Sequence, residues 1–131
     1  MAESNVELAR RGFQAALRGD LEAIAQLLDP GVRWHGGDPS APGACHNRRE
    51  ALAFMRRSEV MRGGRFTVVD AIGAGDKVVV IMRRPDDGGS RVANVATSRD
   101  GKVIEMVHYP DADEALAAAR QPRVDHSTAS A

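Results

Sequence analysis

Histidines at positions 35, 46 and 108, an aspartate at 38 and a single cysteine at 45 are the side chains of this sequence suited to proton transfer or nucleophilic attack. His108 lies in the apolar run KVIEMVHY, and imidazole exchanges protons near neutrality without large tuning. Asp38 stands in the stretch WHGGDPSAPGAC. At the mouth of an apolar pocket its carboxyl would be pushed up by desolvation, as a general base requires; in a plain Asp-Pro turn it would only shape the chain. His35 has the opposite strand parity to Trp34, which is expected to point inward. Cys45 precedes a helix cap at Asn47, where the helix dipole favours a thiolate. His46 is its neighbour, but adjacent side chains seldom aim at one point and no third orienting group is evident. The spacing of His35, Asp38, His46 and His108 matches no compact ligand set, so neither metal nor cofactor is expected. Arg83 and Arg84 are strand neighbours of which one must face each way, and the inward one can hold a ligand carboxylate. Parity within VVVIMRR leaves open which it is.

These groups need elements to position them. From Asn5 to Arg18, Val6, Ala9, Phe13, Ala16 and Leu17 recur on one side of a 3.6-residue period, which predicts an amphipathic helix ended by Gly19. Asp20 caps a second helix through Leu21, Ile24, Leu27 and Leu28, and Asp29-Pro30-Gly31 stops it. Val32 to His35 reads as a short strand, and GGDPSAPGAC as a surface loop. Asn47, with Glu50 three positions on, opens a third helix whose buried side is Ala51, Leu52, Phe54, Met55 and Met61. Four strands in meander order follow, Phe66–Ile72, Val78–Met82, Arg91–Thr97 and Val103–Tyr109. A last helix runs from Asp111 to Arg120, and residues 121–131 read as a loose tail behind one domain spanning residues 1–120.

Asp100-Gly101 is the strongest hairpin signal, because both central positions of a type I′ turn take positive φ. Pairing Arg99 with Lys102 puts Ala93, Val95 and Thr97 on one face with Ile104, Met106 and His108. That set is the more apolar, so it is expected to face the helices with His108 at its open end. The other face, with Val103, Glu105, Val107 and Tyr109, is apolar enough to predict a two-fold homodimer through the outer side of the sheet. A bulge would invert the assignment.

Eighteen basic residues balance eighteen acidic ones, without a charged tail. Neither nucleic acid nor an anionic membrane is therefore the implied partner. One cysteine allows no internal disulfide, the first residues do not read as a signal peptide, and no apolar run approaches the ~20 residues that span a bilayer. A cytoplasmic protein is expected.

The helix pair joined by Gly19-Asp20-Leu21, the strand ending near Trp34, the capped third helix and the closing segment DGKVIE together resemble the nuclear transport factor 2-like superfamily, and more narrowly the SnoaL-like proteins of bacteria. The resemblance covers roughly residues 5–120 in element order. It implies an α+β fold of cystatin-like barrel type, a cone-shaped, curved, mostly antiparallel sheet wrapped around N-terminal helices, with a pocket inside and usually a dimer. Ketosteroid isomerases of this superfamily use an aspartate near the position of Asp38. The tyrosine they carry on the first helix is Phe13 here, and Asn94 and Val95 stand nearest their acid on the sheet, so that oxyanion hole is not expected. Many SnoaL-like proteins carry an aspartate where this chain has His108.

The expected ligand is a small hydrophobic molecule bound by Phe13, Leu17, Trp34, Phe54, Met55, Met82, Val95 and Met106, with His108, Asp38 and His35 as candidate acid/base groups. The fold houses isomerases, cyclases, hydrolases and plain binders, so it predicts a cavity rather than a reaction. A non-catalytic binding protein and a dimeric interaction module are the alternatives.

Overall fold

The computed structural model describes residues 4–57, 67–84 and 90–120. The elements run α1 (Asn5–Arg18), α2 (Leu21–Leu27), β1 (Leu28–His35), α3 (Arg48–Arg57), β2 (Thr67–Ala74), β3 (Lys77–Arg84), β4 (Ser90–Arg99), β5 (Lys102–Tyr109) and α4 (Ala112–Arg120). Met61, Phe66 and the 121–131 segment of the sequence reading lie outside the described residues.

Local chemistry sets the helix ends. The Ser4 hydroxyl accepts the Glu7 N–H at 3.1 Å and starts α1. Gly19, at φ 72°, ends it with a Schellman pattern in which Gly19 N–H bonds the Ala16 carbonyl and Asp20 N–H that of Ala15. The Asp20 carboxylate then accepts the Ala23 N–H at 3.1 Å and starts α2. Asn47 does the same for Glu50 N–H at α3.

The sheet has the order β1-β5-β4-β3-β2. Strands β2 to β5 form an antiparallel meander, and β1 returns parallel to β5 at the edge. Asp100 (φ 52°) and Gly101 (φ 77°) make the tight turn, with Arg99 opposite Lys102 as expected. One expectation for β1 fails: Asp29-Pro30-Gly31 does not stop a helix but lies inside the strand, which begins at Leu28. It forms an irregularity between the Leu28–Val103 and Arg33–Glu105 pairs, where Asp29 accepts the Gly31 N–H at 2.8 Å. An edge strand tolerates a proline that cannot donate to the ladder.

Further irregularities fall between Val68 and Asp70 in β2 and opposite Thr97/Ser98, where β5 gains a residue. Such bulges bend strands, and the resulting sheet is curved and open. Helices α1, α2 and α3 pack on its inner face. Leu8, Ala15, Ile24, Leu27, Val32, Ala51 and Met55 meet Ala96, Val103 and Met106 there, while Ala9 of α1 lies with Val78, Val80, Met82 and Val92. Gly73 allows this approach, since a Cβ on it would stand 3.0 Å from Val6 Cγ2. The outer face is covered by α4, whose Ala112, Ala115 and Ala119 pack on Val79, Ile81, Ala93 and Val95.

Candidate active site

The β5 bulge decides which side chains share the inner face. Ser98 pairs with Val103, but Thr97 pairs with Glu105, Ala96 with Met106 and Asn94 with His108. Met106 and His108 therefore face the helices together with Asn94 and Ala96. Val95, expected beside them as a ligand contact, lies on the opposite face under α4. The extra residue at Ile104 reverses the parity of β4 relative to the end of β5.

His108 is half-buried, and its Nδ1 lies 3.1 Å from Oδ1 of the buried Asn94. Asn Oδ1 only accepts, so His108 Nδ1–H donates. Around this pair the inner face is apolar, with Met82, Val92 and Met106 buried. Trp34 lies opposite Met106 and meets Phe54 edge-on, the ring centroids 5.5 Å apart at 66°. Phe13 packs between the two inner clusters and Met55 is buried in one of them. Phe54 and Leu17 are each 40% exposed. Phe54 still reaches Trp34, whereas Leu17 ends α1 facing outward.

Asp38 does not join His108. It is exposed in the β1–α3 loop, where its Oδ1 accepts the Ser40 hydroxyl at 2.7 Å and the Ser40 N–H at 2.9 Å. The hydroxyl first and the N–H second hold its carboxyl below the ordinary carboxylate value. A base tuned by desolvation needs the opposite shift.

His35 also lies apart, on the outer face beside Arg33 and Glu105. Its side chain is 6% exposed, and Nε2 stands 3.0 Å from Glu105 Oε2. Nδ1 accepts the Gly37 N–H at 3.0 Å, so both ring nitrogens are engaged. Arg33 approaches the same carboxylate oxygen at 3.5 Å.

Cys45 is buried on the inner side, paired with Trp34 by two backbone hydrogen bonds. Desolvation, and then the Glu50 charge, push its thiol up, which opposes a nucleophilic thiolate. His46 turns away to Glu50 and the Pro39 carbonyl. Arg83 shares the outer parity of Val79 and Ile81 and is exposed, so it is not a pocket arginine. Among the described residues no three His, Cys, Asp or Glu side chains converge as a metal site, and no helix is long and apolar enough to cross a membrane. A shallow hollow of about 360 Å³ between Pro30 and the start of α3 is lined by Asn47, Arg48, Arg49 and Leu52.

The sequence reading did not find the partners, Asn94 for His108 and Glu105 for His35. A signal for the first existed. Val103 and Met106, apolar residues three apart, can share one buried face of a strand only across a bulge.

A curved, open sheet lined by three helices, with one histidine–asparagine pair on an apolar inner face, defines a class of cone-shaped α+β proteins. Residues 9–106 match the SnoaL-like domain, and the chain belongs to that family. No curated protein matches it. Among solved structures it is similar to a nuclear transport factor 2-like protein of unknown function from Cytophaga hutchinsonii, with 12% identity, TM-score 0.64, and coverage of 88% of this chain and 97% of that one. It is similar to Bal32a from a soil-derived mobile gene cassette, at 27% identity and TM-score 0.64, covering 80% and 87%. A Kribbella flavida protein provisionally assigned as a ketosteroid isomerase is 23% identical, with TM-score 0.61 and coverage of 79% and 75%.

Proposed function

We propose that this chain binds a small hydrophobic molecule against the inner face of its sheet, and that His108 is the polar group that meets it. The observation that carries this reading is the His108–Asn94 pair, set among Met82, Val92, Met106 and Trp34. Held by Asn94 in that setting, the His108 imidazole is the group suited to exchanging a proton with a bound molecule. Isomerase, cyclase or hydrolase chemistry on a polyketide-, steroid- or terpenoid-like molecule would use it so. A non-catalytic binder is the second reading, favoured by one fact: of the three acid/base candidates only His108 lies on the inner face.

The test is a thermal-shift screen of wild type and His108→Ala against those three compound classes, because a ligand specific for the native state raises Tm. A compound that stabilises wild type and loses most of its effect on His108→Ala supports the site. Equal stabilisation of both removes His108 from it, and no stabilisation by any class refutes the ligand reading. Turnover of the stabilising compound, abolished in the variant, separates enzyme from binder.

We also place the protein in the cytoplasm and pair it with a second copy through the outer face. The strip around the half-buried Val107, beside the part that α4 covers, supports that contact. A monomer mass by light scattering at micromolar concentration would remove the dimer.

A further inference from the structure

Asn94 stands on the inner face and is 5% exposed. Val80 and His108 are its cross-strand neighbours, and Val92 and Ala96 flank it on the same side of β4. Val80 and Val92 pack there with Ala9 and Phe13 of α1. Apart from His108, then, the amide sits among apolar side chains.

A primary amide accepts at its oxygen and donates from its nitrogen. The oxygen is occupied, since His108 Nδ1–H donates to Oδ1 at 3.1 Å. That bond forms with the imidazolium and with the neutral Nδ1–H ring alike, so it asks nothing of the charge on His108. The nitrogen is not occupied: among the described residues no group accepts from Nδ2, and Oδ1 makes the one bond of this side chain. Among the same residues no fully shielded side-chain nitrogen or oxygen lacks a partner. Nδ2 is therefore not fully shielded, and on this face of β4 its opening is to the helix side of the sheet. A largely desolvated donor left unbonded is unfavourable. Holding His108 does not require one, because an aspartate at this position would accept from Nδ1–H equally well.

We propose, resting on the ligand reading above, that Asn94 is a specificity residue whose Nδ2–H donates to an oxygen acceptor, a carbonyl above all, on the apolar molecule bound at the inner face. A carbonyl oxygen accepts and brings no proton that would need a partner of its own, which suits apolar walls. One amide then fixes His108 with its oxygen and sets the ligand's carbonyl beside that ring with its nitrogen. The substrate class is narrowed to ketones, esters or lactones on an apolar skeleton.

The test pairs ketones with hydrocarbons of the same skeleton: tetralone with tetralin, menthone with menthane, androstanone with androstane. Thermal-shift titrations give Kd for each on wild type, Asn94→Asp and Asn94→Leu. Asp keeps the acceptor for His108 without the donor, and Leu keeps the volume without charge. Comparing ratios cancels the different hydration of the two compounds. The preference for a ketone over its hydrocarbon should fall about fivefold in either variant, the worth of one hydrogen bond. An unchanged ratio overturns this proposal and leaves the ligand reading standing; no binding by any of the six compounds to wild type overturns both. A measurement on ligand-free wild type does not depend on the variants folding. The side-chain amide protons of Asn94 should exchange with water in nitrogen-resolved spectra of the labelled protein. Complete protection, or a coupling across a hydrogen bond from Nδ2 to His108 Nδ1, would mean that the nitrogen is closed off or the amide turned round, and either overturns the proposal.

Discussion

Replacing Glu105 by Ala tests whether the outer-face cluster is structural. The His35 side chain is only 6% exposed, and Glu105 is the partner of its Nε2–H across 70 residues of chain. Removing that acceptor leaves a buried donor unsatisfied, which costs about 1–3 kcal/mol. Unfolding entropy near ~2.1 cal/mol/K per residue amounts to roughly 0.28 kcal/mol/K for this chain, so 1 kcal/mol moves Tm by about 4 °C. Glu105→Ala should therefore lower Tm by about 4–11 °C. Glu105→Gln retains an amide oxygen at the same reach and should recover more than half of the loss. Arg33→Ala removes a partner that is 54% exposed and 3.5 Å away, an exposed pair worth at most about 1 kcal/mol and less in salt. Differential scanning calorimetry at neutral pH in 0.15 M salt ranks the three variants. If Ala and Gln at position 105 melt together, or if Arg33→Ala costs as much as Glu105→Ala, the loss is not that of the buried imidazole donor and the reasoning fails.

Gly19→Ala places a Cβ at φ 72° and should cost about 1 kcal/mol, read as a drop of about 4 °C in Tm; no change would mean α1 ends otherwise. Ser40→Ala removes the larger of the two bonds that lower the Asp38 carboxyl, so carboxyl carbon NMR should show its titration midpoint moving up towards the ordinary value. The sign follows from linkage: a depressed acid favours the folded loop above its unfolded pKa, and that preference is lost as pH falls through the folded value. Ser40→Ala should lessen this acid sensitivity of the loop. The Cys45 thiol, buried and pushed up by desolvation, should resist a thiol-disulfide reagent at pH 8 in the native protein and react at once in denaturant; fast native reaction would contradict its burial.

Features decided within a few residues were legible in the sequence. Caps at Asp20 and Asn47, the Gly19 terminus and the Asp100-Gly101 turn each rest on contacts less than one helical turn away, and the resemblance supplied the layer order. Two readings failed where a local rule met a tertiary condition. Asp29-Pro30-Gly31 carries every sign of a stop, yet β1 lies at the sheet edge, where neither the missing proline donor nor the irregularity disrupts a second neighbour. The local environment of Asp38 was also decided locally, by Ser40 two residues on, so the plain-turn alternative was the one available from sequence and the apolar mouth was not.

The inner face was misread for a different reason. A strand has a side-chain period of two, so one added residue reverses everything beyond it, and neither composition nor turn chemistry locates that residue. Here the cost of the other register explains its position. Were Ile104 paired in a regular ladder instead of bulged, Met106 and His108 could face the helices only with Ala93, Val95 and Thr97 beside them, bringing Asn94, Ala96 and Ser98 beneath α4. The α4 face offers Ala112, Ala115 and Ala119, none able to hydrogen-bond the Asn94 amide. With the bulge, Val79, Ile81 and Val95 meet the alanines, and Asn94 turns inward to the His108 imidazole. The polar pair on the inner face and the apolar packing on the outer face are thus two results of one bulged register. Deleting Ile104 closes the bulge while keeping Ser98 opposite Val103, Thr97 opposite Glu105 and Asn94 opposite His108, so both faces should survive and the variant should still melt cooperatively; loss of cooperative melting would show that the faces do not follow from this register.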